Sequence, residues 1–184
     1  MNKNVYVLTS CALMAAILCI VGPMSIPIGA VPVSLATFII YLSAFVLGSK
    51  GSSVSVLVYI LLGVAGLPVF SGGQGGPAKV LGPTGGYIAG YILLAFISGY
   101  VIERSKNNLV ISFVGMVIAT IVLYAFGTVW FIIQAKTTLA YALSVCVVPF
   151  VAFDIIKMIV AESVGFPIRS ALLKSGLLMR EKSN

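Results

Sequence analysis

Residues 107–135 read NNLVISFVGMVIATIVLYAFGTVWFIIQA, a run without a single charge. A helix needs about 20 predominantly apolar residues to cross a bilayer, within a range of roughly 17–25, and this run is long enough. Lipid offers no partner for backbone N–H and C=O groups, so such a run must pair them internally as a helix. Strict in-out alternation, the mark of a barrel strand, is missing. Working outward, residues 4–49, 51–78, 80–102 and 137–153 are equally free of charge. The whole chain of 184 residues is 60% apolar and 8% charged, whereas a soluble domain carries about 25% charged residues. Too little charge remains to coat a water-facing surface. The net charge of +7 is therefore no sign of nucleic-acid binding.

Histidine is absent, which excludes His-dependent triads and His metal sites. Neither a metal nor a cofactor is expected. The acids are Glu103, Asp154, Glu162 and Glu181, and the cysteines are Cys11, Cys19 and Cys146, with no CxxC pair. These cysteines read as buried small hydrophobes.

Glycine and proline divide the apolar runs. The expected helices are Val5–Val21, Val33–Leu47, Ser53–Gly66, Gly86–Ile102, Leu109–Ile133 and Pro149–Val164. The last could run on past Gly165 and Pro167, and residues 134–148 have room for a short helix. The first is read as a span and not as a cleaved leader, because its apolar run is long and no A-x-A site closes it. Gly22–Pro32 is a Pro/Gly-rich loop, and Gly48-Ser49-Lys50-Gly51 is a tight turn. The second and third helices are short. Either they flank a cavity or they sit in a locally thin bilayer.

Lysine and arginine placement sets the orientation. With the N-terminus inside, Lys3, Lys50, Arg104, Lys106, Arg169, Lys174, Arg180 and Lys182 are cytoplasmic, against Lys79 and Lys136 outside. The prediction is an all-α integral membrane protein with six transmembrane helices and both termini cytoplasmic. Residues 1–184 form a single membrane domain, with a basic cytoplasmic tail over about 169–184. That tail can also meet anionic lipid.

An ionisable residue inside a span is costly and marks function by default. Asp154 and Lys157 lie in the apolar run PFVAFDIIKM. Their i,i+3 spacing puts them on one face of the last helix, in its outer half and facing the bundle. They form either a clamp for a solute or a self-satisfied pair that locks packing. Glu162, farther along, is read as a solvated end near the inner interface.

A second constellation is the loop FSGGQGGPAKVLGPTGGY over residues 70–87. Its glycines, Gly73 and Gly75 among them, let backbone N–H groups approach a ligand. Gln74 and Lys79 add side-chain donors, and Thr84 leads into a helix N-terminus that favours negative charge. A flexible exposed turn is the bland alternative. Lys79 follows Ala78 and precedes Val80, so the loop is not the phosphate-binding Walker motif. A third feature is ALMAA, where Ala12 and Ala16 stand four apart on the first helix. Such pairs let another helix approach closely, and they are common in alanine-rich spans.

The glycine loop ending Gly-Pro-Thr-Gly-Gly-Tyr, followed by a last helix with Asp154-x-x-Lys157, resembles the BioY family, the biotin-binding S components of energy-coupling-factor transporters. The resemblance covers nearly the whole chain. It implies a substrate-binding subunit without enzymatic activity, in the plasma membrane of a prokaryote. A transmembrane coupling protein and two ATPase subunits would complete the importer and use the ATP, with Ala12 and Ala16 meeting the coupling protein.

The chemistry suits biotin. Its ureido ring offers N–H donors and a carbonyl acceptor, so Asp154 could accept an N–H while Lys157 donates to the carbonyl or holds Asp154 in place. Lys79, Gln74 or loop N–H groups could meet the valerate carboxylate. Phe70, Leu35, Tyr41 and Tyr87 are candidate apolar walls. Against this stands a solitary secondary transporter with Asp154 and Lys157 as a proton or ion relay. A membrane-embedded enzyme lacks parts, having no histidine and few acids.

Overall fold

The structure, a computed structural model, describes residues 3–26, 31–106 and 108–176. In chain order these form α1 (Lys3–Val21), β1 (Ser25–Ile26), β2 (Val33–Ser34), α2 (Ala36–Val64), α3 (Pro77–Leu81), α4 (Gly85–Arg104), α5 (Leu109–Ala135), α6 (Leu139–Cys146) and α7 (Val148–Lys174). α2, α4, α5 and the stretch Leu139–Lys174 are long and apolar enough to cross a membrane, and Val5–Val21 is a shorter apolar helix. Large apolar side chains such as Leu8, Ile121 and Ile133 point outward, as lipid contact requires. The chain is thus a multi-pass helical membrane protein.

The expected boundaries need several corrections. Val33 and Ser34 do not start a helix; they pair antiparallel with Ile26 and Ser25. The reversal expected over residues 48–51 is confined to Gly48, with φ 69° and ψ −167°. Both arms of α2 return to the same place. Ser34, just before α2, donates through Oγ to the Gly22 carbonyl at 3.1 Å. Tyr59, in the second arm, has its hydroxyl within 2.8 Å of where a Gly22 Cβ would stand.

Other helices complete this hinge. Glu103 accepts from Ser49 N at 3.1 Å and from Ser49 Oγ at 2.7 Å, meeting donors that the break at Gly48 leaves without a helical partner at the start of the second arm. Arg169 donates to the Phe45 carbonyl at 3.0 Å, meeting an acceptor at the end of the first. Lys50 and Arg104 mark this end of the bundle. At the other end, Trp130 Nε1 and Gln134 Nε2 each donate at 2.9 Å to the carbonyls of Gly82 and Leu81.

α7 runs through Pro167 to Lys174. Residues 169–174 of the expected tail are therefore helix, with Arg169 buried; residues 177–184 lie outside the described residues. For the same reason Glu162 sits well inside α7 and not at its end. The buried face of α7, Asp154, Lys157, Met158, Ala161, Gly165 and Arg169, has helical spacing and packs along the first arm of α2. α1 rests on the second arm through Cys11, Ala15 and Leu18, and Ser55 Oγ donates to the Cys11 carbonyl at 3.1 Å. Cys11 and Cys146 are buried and Cys19 partly so.

Gly48 occupies backbone space that is essentially glycine-only, and a Cβ there would collide with the Glu103 carboxylate. Gly48→Ala is expected to cost about 1–3 kcal/mol, seen as a lower midpoint of thermal unfolding in detergent.

Candidate binding site

α5 carries polar residues at every fourth position: Thr120, Tyr124 and Thr128. That spacing lines them along one face, and each holds a group from another helix. Thr120 pairs with the Tyr41 hydroxyl at 2.7 Å. Tyr124 donates to Asp154 Oδ2 at 2.5 Å. Thr128 pairs with the Tyr87 hydroxyl at 2.9 Å. The Tyr87 ring lies against Gly127, where a Cβ would come within 2.4 Å of it. Only glycine lets the ring rest there.

Asp154 and Lys157 are 3% and 8% exposed and form an ion pair, Nζ to Oδ1, at 2.9 Å. Lys157 Nζ also donates to the Ser34 carbonyl at 2.7 Å and to Thr37 Oγ1 at 3.1 Å. Thr37 Oγ1 in turn donates to Asp154 Oδ1 at 3.4 Å. A buried charge is costly unless it is paired and hydrogen-bonded, and here both charges are. The pair therefore joins α7 to the first arm of α2, to β2 and, through Tyr124, to α5.

This network borders a cavity of about 40 Å³ walled by Val31, Pro32, Leu123, Cys146 and Phe150 together with Ser34, Thr37, Tyr87, Tyr91, Tyr124, Asp154 and Lys157. It stands at the end of the bundle opposite Lys50. Apolar walls with a few convergent polar groups are the usual form of a small-molecule site.

A sequence model of the BioY family matches residues 1–174. The chain belongs to the BioY family. It is 34% identical over 171 residues to the biotin transporter BioY2 of Lactococcus lactis, covering 93% of this chain and 94% of that one. It is 40% identical over 146 residues to the biotin transporter BioY of Thermotoga maritima, covering 79% and 85%. Its fold superposes on a crystal structure of the S-component for biotin from an ECF-type ABC transporter with a TM-score of 0.85, at 30% identity over 92% of this chain and 93% of that one. Membership in the BioY family makes the chain a transport protein and not an enzyme.

Of the residues singled out in the sequence, Asp154, Lys157 and Tyr87 wall this cavity in the BioY-family fold. The others stand outside its wall. Tyr41 is fully buried on Thr120. Leu35 is 41% exposed. Phe70 packs edge-on against Tyr59, with ring centroids 5.5 Å apart. Gln74 and Gly73 are exposed and Gly75 partly buried, in a loop tied down by Phe70 N to the Gln74 carbonyl at 2.9 Å, Gly72 N to the Pro23 carbonyl at 3.2 Å and Gly76 N to the Gly63 carbonyl at 2.7 Å. Lys79 lies on α3, where partial burial lowers its ammonium from the usual lysine value. Thr84 precedes α4 and makes no side-chain cap. Ala12 and Ala16 are exposed on α1, on the flank of the face that buries Cys11 and Ala15.

Sequence reasoning missed Ser34, Thr37, Tyr91 and Tyr124. The four-residue polar spacing on uncharged α5, and Tyr87 with Tyr91 one turn on, were the available signals.

Removing one partner of the buried pair strands the other. Lys157→Met is expected to destabilise the ligand-free protein by about 3–5 kcal/mol. Asp154→Asn added to Lys157→Met should restore part of that loss, read by thermal unfolding of the two variants side by side.

Proposed function

We propose that this chain captures biotin at the outer face of the plasma membrane of a prokaryote, as the substrate-binding subunit of an ECF-type ABC importer. The observation that carries this reading is the buried Asp154–Lys157 pair beside a small cavity, in a chain that belongs to the BioY family. In this reading the crossings are α1, the two arms of α2, α4, α5 and α7. Six crossings bring both termini to the cytoplasmic side. Lys50, Arg104 and Lys106 then lie inside and Lys79 and Lys136 outside, as the positive-inside rule requires. The cavity opens toward the outside.

Biotin presents a urea whose N–H groups suit the Asp154 carboxylate. Hydrogen bonds to a charged group are roughly twice as strong as neutral ones. Pro32, Leu123 and Phe150 offer apolar contact for the ring sulfur and methylenes. Lys79, Gln74 and the backbone N–H of Gly75 remain the donors proposed for the valerate carboxylate, the Gly73 N–H being given to the Phe70 carbonyl at 3.0 Å.

The cavity of about 40 Å³ has room for about three waters.

A transmembrane coupling protein and two ATPase subunits are the proposed partners, with exposed Ala12 and Ala16 on α1 as the contact face. Small residues there let a partner helix approach closely.

Asp154→Asn and Lys157→Ala are each expected to weaken biotin binding at least about tenfold, or ~1.4 kcal/mol, in equilibrium titration of the purified protein. Unchanged affinity in both would move the site elsewhere. Ala12→Trp is expected to leave biotin affinity intact while lowering recovery of the complex with the coupling protein; normal co-purification would remove α1 from that contact.

A further inference from the structure

α4 lies between α2 and α5, and its glycines show which side it turns to each. A Cβ on Gly99 would meet the Ser49 backbone of α2 at 2.5 Å, and one on Gly90 would meet Leu123 of α5 at 2.7 Å. Glu103, one turn after Gly99, also faces α2 and accepts from Ser49 through both carboxylate oxygens. At about 100° per residue, Leu93, Phe96, Tyr100 and Arg104 fall on a third side that faces neither helix. All four are exposed. Their side chains are nonetheless stacked in order. The Phe96 and Tyr100 rings have centroids 6.2 Å apart and planes 19° apart. The Arg104 guanidinium lies over the Tyr100 ring, 4.4 Å from its centroid, where the ring's electrons attract a cation. This stack occupies the flat face of the guanidinium and leaves its N–H edge open. Among the described residues that edge meets no acceptor, and the one salt bridge is Lys157–Asp154. Lys106, exposed just past the end of α4, adds a second positive charge. The carbonyl end of α4 also attracts a cation, but that attraction needs no aromatic stack.

We propose that this side of α4 binds an anionic phospholipid, with the lipid phosphate on the N–H edge of Arg104 and an acyl chain along Tyr100, Phe96 and Leu93. Arginine presents its donors as a planar fork that fits phosphate oxygens in pairs. Tyr100 is the positioning residue that holds the fork in place. From Arg104 to Leu93 the helix rises about 16 Å, close to half of a hydrocarbon core of about 30 Å. The apolar ladder below the arginine therefore matches the depth of one leaflet, which a soluble phosphate would not use. Two positive charges with the nearest acid, Glu103, engaged by Ser49 favour a headgroup of net negative charge over a zwitterionic one. In the orientation proposed above the lipid belongs to the cytoplasmic leaflet. The site itself does not depend on what the cavity binds.

The test is native mass spectrometry of the purified full chain in detergent, with phosphatidylglycerol and phosphatidylcholine added in equal amounts. The readout is the ratio of the two lipids retained by the same protein, so that a change in stability cancels. The wild type is expected to prefer phosphatidylglycerol at least about fivefold, the order expected of one basic residue at an anionic surface. Arg104→Gln should lose most of that preference. Tyr100→Leu should lower it about threefold by releasing the guanidinium from the ring, whereas Tyr100→Phe, which keeps the ring, should keep the preference. Lys136→Gln removes the same charge from an exposed position at the other end of the bundle and should change nothing. No preference in the wild type, no loss in Arg104→Gln, or equal losses in Arg104→Gln and Lys136→Gln would overturn the site. Equal ratios in Tyr100→Leu and the wild type would overturn the positioning role of the ring. Thermal unfolding with glycerol phosphate in place of lipid tests the other source of the same chemistry. A midpoint raised as far as by phosphatidylglycerol would overturn the lipid as occupant.

Discussion

The three protons of Lys157 are the constraint from which the rest of the site follows. An ammonium withdrawn from water must find an acceptor for each proton, or the charge becomes too costly to bury. Here the acceptors come from three places: Asp154 on its own helix, Thr37 on the first arm of α2, and the Ser34 carbonyl on β2. Meeting them fixes the rotation of α7 and its height along α2, and ties β2, with its partner β1, to α7. Tyr124 then completes Asp154 from α5. One charged side chain thus sets the relation of four elements, and the cavity is the space that they leave.

The threonine-tyrosine spacing on α5 extends the same logic to neutral groups. In lipid a hydroxyl must be met by another protein group, so Thr120, Tyr124 and Thr128 each define where a residue of α2, α7 or α4 can stand. Apolar packing alone fixes a helix rotation weakly when lipid is as apolar as the neighbouring helix. The polar stripe supplies the specificity. Met116 and Leu123, both buried on α5, fill the space around it.

Much of this was legible in the sequence, for physical reasons that differ between parts. Uncharged runs reveal spans because a charge in hydrocarbon is costly, and Asp154 and Lys157 stood out as exceptions to that rule. The length of α7 was harder to read. Pro167 is normally a stop, but the helix continues because Gly165 and Arg169 on either side are packed against the first arm of α2 through Phe45. The glycine loop was read from composition, which reports backbone freedom and not location. Its turns are tied to Pro23 and Gly63 instead of lining the cavity. Tyr91 and Tyr124 were hidden because a tyrosine in an apolar helix looks like any other aromatic until its hydroxyl's neighbours are known.

The hinge at Gly48 has a consequence for how the chain tolerates change in length. Most inter-helix connections absorb an inserted residue as slack. Here the first arm is anchored by Thr37 and Phe45 and the second begins at once on Glu103, so no slack exists. One added residue would rotate the second arm by about 100°. Ser52, Ser55 and Tyr59, which now face α4, α1 and the Val69 carbonyl, would turn toward hydrocarbon together. Insertions and deletions should therefore be far rarer at this bend than in the stretch between α2 and α4, although both connect one helix to the next.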